Sequence, residues 1–153
     1  MINRIKTYAA ILLLSLAHAA GATDLAEKSA SATNLRIFTA ALKASGLEDS
    51  LKSGGPYTVF APEDGAFSKL PPGSWDALYK NKEKLARVLS HHIVPGRMLV
   101  TEIKPGKAKP LEGEALTLKS DNGKVTVDQA NVIESDIVAD NGVIHIIDAV
   151  VMP

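Results

Sequence analysis

A nearly unbroken run of hydrophobic side chains occupies the last thirteen residues of the chain, NGVIHIIDAVVMP at positions 141–153. In an extended strand, successive side chains alternate between two faces, so the odd-numbered positions of 143–147 share one face and the even-numbered positions share the other. Both faces are mostly apolar, which is typical of a strand that is covered on both sides. We therefore predict a buried strand in the middle of the fold, continuing until Pro153 stops it.

Apolar and polar residues also alternate with a period of two in the segment before this strand. The Asn-Gly pairs at 122–123 and 141–142 predict type I′ hairpin turns, because both central positions of that turn need positive φ angles. The apolar positions expected to pair across the first turn are Leu116, Leu118, Val125 and Val127. Two further short strands are expected at 131–134 and 136–138.

Helical spacing dominates the first half of the chain. Leu35, Phe38 and Leu42 recur on one face of a helix that Thr33 or Asn34 can cap. The predicted helices span residues 33–45, 47–51, 74–78 and 82–90, with one more short helix that begins at Pro62. Strands are expected at 57–61 and 91–94, and residues 98–103 fit either an extended or a helical conformation. Helices followed by strands predict an α+β domain with an antiparallel or mixed sheet.

The first 22 residues have the layout of a secretory signal peptide. Arg4 and Lys6 precede a short apolar segment at 8–17, and small residues follow it. This segment is shorter than the roughly 20 residues that a membrane-spanning helix needs. We expect cleavage after Ala22, with Ala19 as the second site, and an uncleaved membrane anchor is the alternative interpretation.

A single folded domain is expected after the leader. Residues 23–32 are small and polar, which favours a flexible lead-in, and residues 33–153 then form the domain. The 153-residue chain is 46% hydrophobic and 22% charged, as is usual for a globular protein. It contains no cysteine, so an exported form must be stable without disulfides, which a domain of this size can achieve by packing.

Charge is unevenly distributed, although the totals balance at 17 basic and 17 acidic residues. Residues 80–109 hold eight bases and two acids, whereas residues 121–153 hold six acids and one base. Such clusters are common on a solvated surface. They also fit a basic face that attracts a polyanion.

The sequence contains no pattern of residues that is typical of catalysis. The G-x-S-x-G, P-loop and G-x-G-x-x-G motifs are absent. The pair at 63–64, Glu-Asp, could do acid–base work, but adjacent acids in the first turn of a helix commonly interact with its dipole instead. His91 and His92 would point to opposite faces of a strand, so they are poor ligands for one metal ion. We expect one of them to be buried and the other exposed, and we expect no enzyme activity, metal or cofactor.

Three segments resemble conserved blocks of the fasciclin, or FAS1, domain family. They are TVFAPEDGAF at 58–67, HHIVPG at 91–96 and NGVIHIIDAVVMP at 141–153, and the stretch NLRIFTAALKASGL resembles the opening of the domain. The resemblance covers residues 33–153. It implies a β-sandwich or wedge of strands with a cluster of helices from the N-terminal half. It also implies a secreted or cell-surface adhesion protein that is not an enzyme.

The chain departs from this family at two motifs that the resemblance links to partner binding. Family members often carry Tyr-His where this chain has His91-His92. Some animal members engage integrins through that motif or through Glu-Pro-Asp-Ile, which reads Glu-Ser-Asp-Ile at 134–137 here. We therefore carry over the adhesion class and not the receptor. The candidate partner-binding residues are His91, His92, Arg97, Lys104, Lys107, Lys109, Asp136 and Ile137.

These features predict an exported, non-catalytic adhesion or interaction module that binds a protein or an anionic glycan at the cell envelope or outside the cell. The alternative is a periplasmic binder of a small apolar ligand or lipid. We expect a secreted or periplasmic monomer with no transmembrane segment after signal cleavage. Its partner should be a protein or polysaccharide, and not a nucleic acid.

The leader gives a first testable prediction. Protein recovered from the exported fraction should begin at Thr23, or at Ala20 if cleavage follows Ala19, because small residues occupy both candidate sites after the apolar segment. Intact-mass spectrometry measures the N-terminus directly. Exported protein that retains all of its first 19 residues would rule out both sites.

Overall fold

A computed structural model describes residues 23–153, in which helices come first and most strands follow. The predicted signal peptide lies outside these described residues. The helices are α1 (Leu25–Ser31), α2 (Arg36–Ser45), α3 (Glu48–Ser53), α4 (Asp64–Phe67), α5 (Ser74–Tyr79) and α6 (Lys82–His91), with a 3₁₀ turn at Val100–Glu102. The strands are β1 (Tyr57–Pro62), β2 (Ile93–Pro95), β3 (Gly106–Ala108), β4 (Leu116–Asp121), β5 (Lys124–Val127), β6 (Ala130–Ala139) and β7 (Gly142–Ile147). The α+β class is confirmed.

The segment at 23–32 is folded, so the predicted flexible lead-in is wrong. Helix α1 begins after Asp24, whose carboxylate accepts a hydrogen bond from a backbone N–H of the first turn at 2.9 Å. Leu25 is fully buried in the core. The Thr23 N–H donates to Asp140 Oδ2 at 3.0 Å, and the Asp140 N–H donates to the Thr23 carbonyl at 2.8 Å. One capping carboxylate and one leucine therefore order a stretch whose average composition suggests mobility.

Helix α2 packs with the face that its spacing predicts, but its cap comes from elsewhere. Leu35 occupies the N-cap position and offers no polar side chain. Asp64 Oδ1 instead accepts a hydrogen bond from the Ile37 N–H at 2.8 Å, so the predicted cap at 33–34 is wrong. Pro62 closes β1 and is not the first residue of the next helix, as its position had suggested.

Seven strands form one mixed sheet in the order β2-β1-β7-β6-β5-β4-β3. Strands β1 and β7 run parallel, and every other neighbouring pair is antiparallel. Strand β7 pairs with the whole of β1, from Tyr57 opposite Gly142 to Pro62 opposite Ile147. The last strand thus lies between β1 and β6, so it joins an early part of the domain to a late one.

Every residue of β7 is buried, which confirms the prediction made from its two apolar faces. Ile144 and Ile146 lie in the core beneath the helices, whereas Ile147 lies in a second core on the other side. The strand ends at Ile147, so its predicted continuation to the C-terminus is wrong. Directly after it, the Asp148 carboxylate accepts hydrogen bonds from the Asn131 backbone and side chain at 2.8 and 3.0 Å.

The two hydrophobic cores lie on opposite faces of β1 and β7. The first contains Val59 and Ile144 together with buried side chains of α1, α2, α3 and α6. In the second, Phe60 and Ile147 meet the hairpin of β4 and β5. The hairpin side chains in this core are Leu116, Leu118, Val125 and Val127. Because two parts of one sheet share this core, the sheet folds over itself into the expected wedge.

Strand β6 connects the two parts of the sheet. The two short strands predicted here are a single strand of ten residues. Its register with β7 shifts between Val132 and Glu134 and again between Glu134 and Ile137, and Asp136 has a φ of +59°. An irregular register bends a strand and increases its twist. This bend lets β6 pair with β5 at one end and with β7 at the other.

The two Asn-Gly pairs behave differently. Asn122 and Gly123 have φ angles of 50° and 81° and close the hairpin of β4 and β5, as predicted. Asn141 does not have a positive φ, so the predicted type I′ turn is wrong there. Gly142 is needed for a different reason. A Cβ at this position would lie 2.0 Å from the Tyr57 carbonyl oxygen, so only glycine lets β7 approach β1 this closely.

The Asn141 side chain connects two helices to the start of β7. Its Oδ1 accepts a hydrogen bond from the Leu25 N–H at 2.9 Å. Its Nδ2 donates to the carbonyls of Leu51 and Gly54, each at 2.8 Å. Helix α1, the end of α3 and β7 therefore meet at one amide.

The buried position of β7 can be tested with a matched pair of substitutions. Ile144→Ala should lower the free energy of unfolding by about 2–5 kcal/mol, because it leaves a cavity in the core. Ile133→Ala makes the same chemical change at a side chain that is 50% exposed, and it should alter stability by only about 0.5 kcal/mol. Urea denaturation measures both. Equal losses in the two variants would show that β7 is not the core strand described.

Candidate partner-binding surface

The two histidines predicted to contact a partner are buried. His91 is the last residue of α6 and His92 follows it, and their exposed fractions are 2% and 1%. The predicted strand over both residues is wrong, because the helix continues to His91 and β2 begins only at Ile93. The expectation that one histidine is exposed is also wrong. Neither imidazole is accessible to a partner in this structure.

Both imidazoles instead hold neighbouring chain segments to α6. His92 Nδ1–H donates to the Val88 carbonyl at 2.7 Å, and its Nε2 accepts a hydrogen bond from the Val151 N–H at 2.9 Å. His91 Nδ1–H donates to the Glu112 carbonyl at 3.0 Å. The C-terminal segment and the loop before β4 are therefore both anchored at the end of one helix.

Burial lowers the pKa of His92 from 6.5 to about 4. The hydrogen bond to the Val88 carbonyl opposes this shift, and so does the Asp128 carboxylate, whereas the adjacent His91 adds to it. The ring is therefore neutral near pH 7, as its one donated and one accepted hydrogen bond require.

The Asp136-Ile137 pair is engaged in a similar arrangement around a third buried histidine. His145 Nε2–H donates to the Met98 carbonyl at 2.7 Å, and its Nδ1 accepts a hydrogen bond from the Asp136 N–H at 3.1 Å. Asp136 Oδ1 accepts one from the Val100 N–H at 2.7 Å. Ile137 packs against the first core. Burial lowers the pKa of His145 as well. The pair thus holds residues 98–100 against the sheet, and Asp136 is the more exposed of its two residues.

The four basic residues of the prediction are exposed, but they do not form one patch. Arg97 borders a recess beside Asp140 and the start of α1. Lys107 lies on β3, at the far edge of the sheet, with Lys104 just before that strand and Lys109 just after it. The structure therefore keeps the three lysines near one edge and separates Arg97 from them.

Two lysines that the sequence analysis missed lie on the same side of the sheet as Lys107. The strand register pairs Lys107 with Thr117 and Lys119 with Thr126. Because alternate residues of a strand share a face, Lys119 and Lys124 point away from the core, as Lys107 does. We call Lys107, Thr117, Lys119, Lys124 and Thr126 the outer lysine face.

Charges on the outer lysine face are largely uncompensated. Asp121, opposite Lys124 in the register, is the acid that shares the face within β3–β5. The salt bridges found in residues 23–153 involve none of its lysines. Lys107 Nζ donates to Thr117 Oγ1 at 2.6 Å. The alternation of β4 already contained this signal, because a buried Leu118 requires an outward Lys119.

A second surface feature is an apolar groove of about 450 Å³ beside α5. Ala77 and Leu78 of α5 line one side of it, and Met152 lines it from the C-terminal segment. Lys84, near the start of α6, supplies its charged group. A concave, mostly apolar surface with few polar groups is typical of small-molecule sites.

Within the described residues, no group of three or more histidine, cysteine or acidic side chains is arranged to hold a metal ion. The candidate carboxylate pair at 63–64 has a structural task, since Asp64 caps α2. None of the helices described is long and apolar enough to cross a membrane.

Comparison with known proteins identifies the family. A sequence model described as "Fasciclin domain" matches residues 33–153. The chain belongs to the fasciclin domain family. Protein sll1483 of Synechocystis sp. is 41% identical over 143 residues, which cover 92% of this chain and 79% of that protein. The transforming growth factor-beta-induced protein ig-h3 of Sus scrofa is 38% identical over 120 residues, or 76% of this chain and 17% of that protein.

A solved structure supports the fold independently. This fasciclin domain is similar to the FAS1 domain pair of the insect cell adhesion molecule Fasciclin I, with a TM-score of 0.69. The match covers 86% of this chain and 51% of the other at 17% identity. The predicted family and fold are both confirmed.

The buried histidines predict how the stability of this fasciclin domain depends on pH. Between pH 6.5 and about 4, the unfolded chain binds a proton at residue 92 that the folded domain does not bind. Stability should therefore fall as the pH decreases through this range, by about 3 kcal/mol for His92 alone. The lowered pKa of His145 acts in the same direction.

Urea denaturation at several pH values between about 7 and 4 measures this effect. His92→Gln should flatten the dependence, because glutamine has an amide donor and acceptor but does not titrate. Asp148→Asn is the control, since the pKa of that carboxyl is lowered from 3.8 and most of its effect on stability is lost only below the range tested. A His92→Gln variant with the pH dependence of the parent would refute this assignment.

Proposed function

We propose that this fasciclin domain is an exported, non-catalytic adhesion module that binds an anionic polysaccharide or a protein through the outer lysine face. The observation that carries the proposal is the set of three exposed lysines, Lys107, Lys119 and Lys124, on one sheet face. Lys104 and Lys109 are exposed just before and just after β3. Arg97, which lies near Asp140, is not part of it.

The geometry of a sheet suits the binding of a charged polymer. Neighbouring strands lie about 4.8 Å apart, and the register places Lys107, Lys119 and Lys124 along a diagonal across β3, β4 and β5, with little freedom of the backbone. A single exposed ion pair contributes only about 0.2–1 kcal/mol, so attachment needs several such pairs at once. A polyanion supplies repeated charges along its length and meets this need.

Export and adhesion have separate support. The leader-like composition of residues 1–22 favours a secreted or periplasmic location. The solved structure with the same fold comes from the insect cell adhesion molecule Fasciclin I. We infer a monomeric module that acts at the cell envelope or outside the cell.

A second candidate function is the binding of a small apolar ligand or lipid in the periplasm. The groove beside α5 favours it, because its volume of about 450 Å³ is within the usual range for ligand sites. This surface is distinct from the outer lysine face, so the two functions can be tested separately.

The outer lysine face can be tested with alginate, a polyuronate, against neutral dextran. The parent protein should bind alginate and not dextran, and affinity should fall as salt rises, since the screening length shortens to about 8 Å at physiological ionic strength. Replacing Lys107, Lys119 and Lys124 together with Glu should weaken binding at least about tenfold, because three attractions become repulsions. Surface plasmon resonance measures both effects.

The matched control carries the same change in net charge elsewhere. It replaces Lys43, Lys80 and Lys82, which are exposed on or next to α2 and α6, with Glu. This control should bind alginate within about twofold of the parent if location matters more than net charge. If both triple variants lose affinity equally, or if the parent does not bind alginate, this surface is not a polysaccharide site.

A further inference from the structure

The residues that line the groove beside α5 follow a helical spacing. Ser74, Ala77 and Leu78 follow the spacing i, i+3 and i+4, so one face of α5 lines the groove, and Asn81, the N-cap residue of α6, continues this lining. None of the six residues of α5 is buried. The groove is therefore a surface of this helix that the rest of residues 23–153 leaves accessible.

Small side chains on this face create the available space. The aromatic side chains of α5 face elsewhere. Trp75 packs against Phe67 of α4 with ring centres 4.5 Å apart and against Tyr79 of the same helix at 5.8 Å. The contact with Phe67 holds α5 on one side, while Ser74 and Ala77 leave the other side open. The position of the helix thus does not depend on filling the groove.

Met152 provides an adaptable wall. It is 52% exposed although it is apolar, and it lies after the last strand, in the C-terminal segment that His92 anchors at Val151. A methionine side chain has three rotatable bonds and a polarizable sulfur, so it adjusts to apolar ligands of different shape. This wall can therefore move while its backbone is held.

Lys84 gives the groove its charge. It is exposed, and the salt bridges found among the described residues do not include it. Lys80 and Lys82 precede it and Glu83 is the acid of the same turn, so positive charge exceeds negative charge at this end. An apolar groove with one cationic end complements an apolar chain with one anionic end.

We propose that the groove binds a fatty-acid-class amphiphile, with its alkyl chain along Ala77, Leu78 and Met152 and its carboxylate at Lys84. This inference deepens the second candidate function and is independent of the outer lysine face. The carboxylate forms a charge-assisted hydrogen bond with Nζ, and the alkyl chain covers apolar surface that is otherwise in water.

Laurate, used below its micelle concentration, is the probe for this site. We expect saturable binding of one laurate per protein, confirmed by calorimetry. Dodecyltrimethylammonium has the same alkyl chain and the opposite charge, and it should bind at least about tenfold more weakly.

A bulky side chain placed in the groove should weaken the binding of laurate. Ala77→Phe should weaken laurate binding at least about tenfold, because the ring occupies the volume of the alkyl chain. Ala30→Phe is the control, an identical change on α1 beside a different recess, and it should bind laurate as the parent does. Met152→Asp at the exposed wall is a second test if the phenylalanine variant does not fold, and it should also lose affinity.

The positive charge of Lys84 should determine whether the groove prefers an anionic or a cationic head group. Lys84→Gln should weaken the binding of laurate by about five- to tenfold without weakening the binding of dodecyltrimethylammonium. Lys84→Arg should retain laurate binding. Lys119→Glu should leave laurate binding unchanged, which separates this site from the proposed polysaccharide surface. The proposal is overturned if the parent binds both amphiphiles equally, or if folded Ala77→Phe or Met152→Asp binds laurate like the parent.

Discussion

The insertion of β7 between β1 and β6 is the constraint on which the rest of this fold depends. It requires a glycine at position 142, because the Tyr57 carbonyl leaves no room for a side chain there. It also requires apolar residues on both faces, because one core lies above the strand and the other below it. The helices, the folded-over hairpin and the Asn141 contacts are all arranged around this strand. Since β1 and β7 are about 85 positions apart, the two cores can be completed only after the end of the chain has docked.

Buried histidines complete this arrangement by satisfying backbone groups where irregular segments cross the cores. His92 holds the C-terminal segment, and His145 links residue 98 to the bend of β6. Each ring uses one nitrogen as donor and the other as acceptor, which only the neutral form can do. Two motifs that family resemblance connects with partner binding thus serve the internal structure of this chain. The accessible chemistry lies elsewhere, on the outer lysine face and beside α5.

Sequence patterns predicted the parts of the fold where local alternation and burial agree. The faces of β7, the hairpin at Asn122 and the helix containing Phe38 are examples. The predictions fail where a residue that is distant in the sequence determines the local structure. Asp64 caps a helix that its own sequence does not cap, and Leu25 orders a segment of small polar residues. At the site, Lys119 was predictable from the alternation of β4. The separation of Arg97 from the lysines was not, since proximity in sequence does not determine which sheet edge a residue reaches.

The contact between Thr23 and Asp140 has a consequence for maturation. The Thr23 N–H lies 3.0 Å from Asp140 Oδ2, and this N–H is the first backbone amide of the described residues. Cleavage after Ala22 would convert this amide into an α-ammonium group and place a new positive charge against Asp140. Cleavage after Ala19 would leave a neutral amide there, with three more residues beyond it. The choice of processing site would thereby decide whether the hydrogen bond that precedes α1 becomes an ion pair.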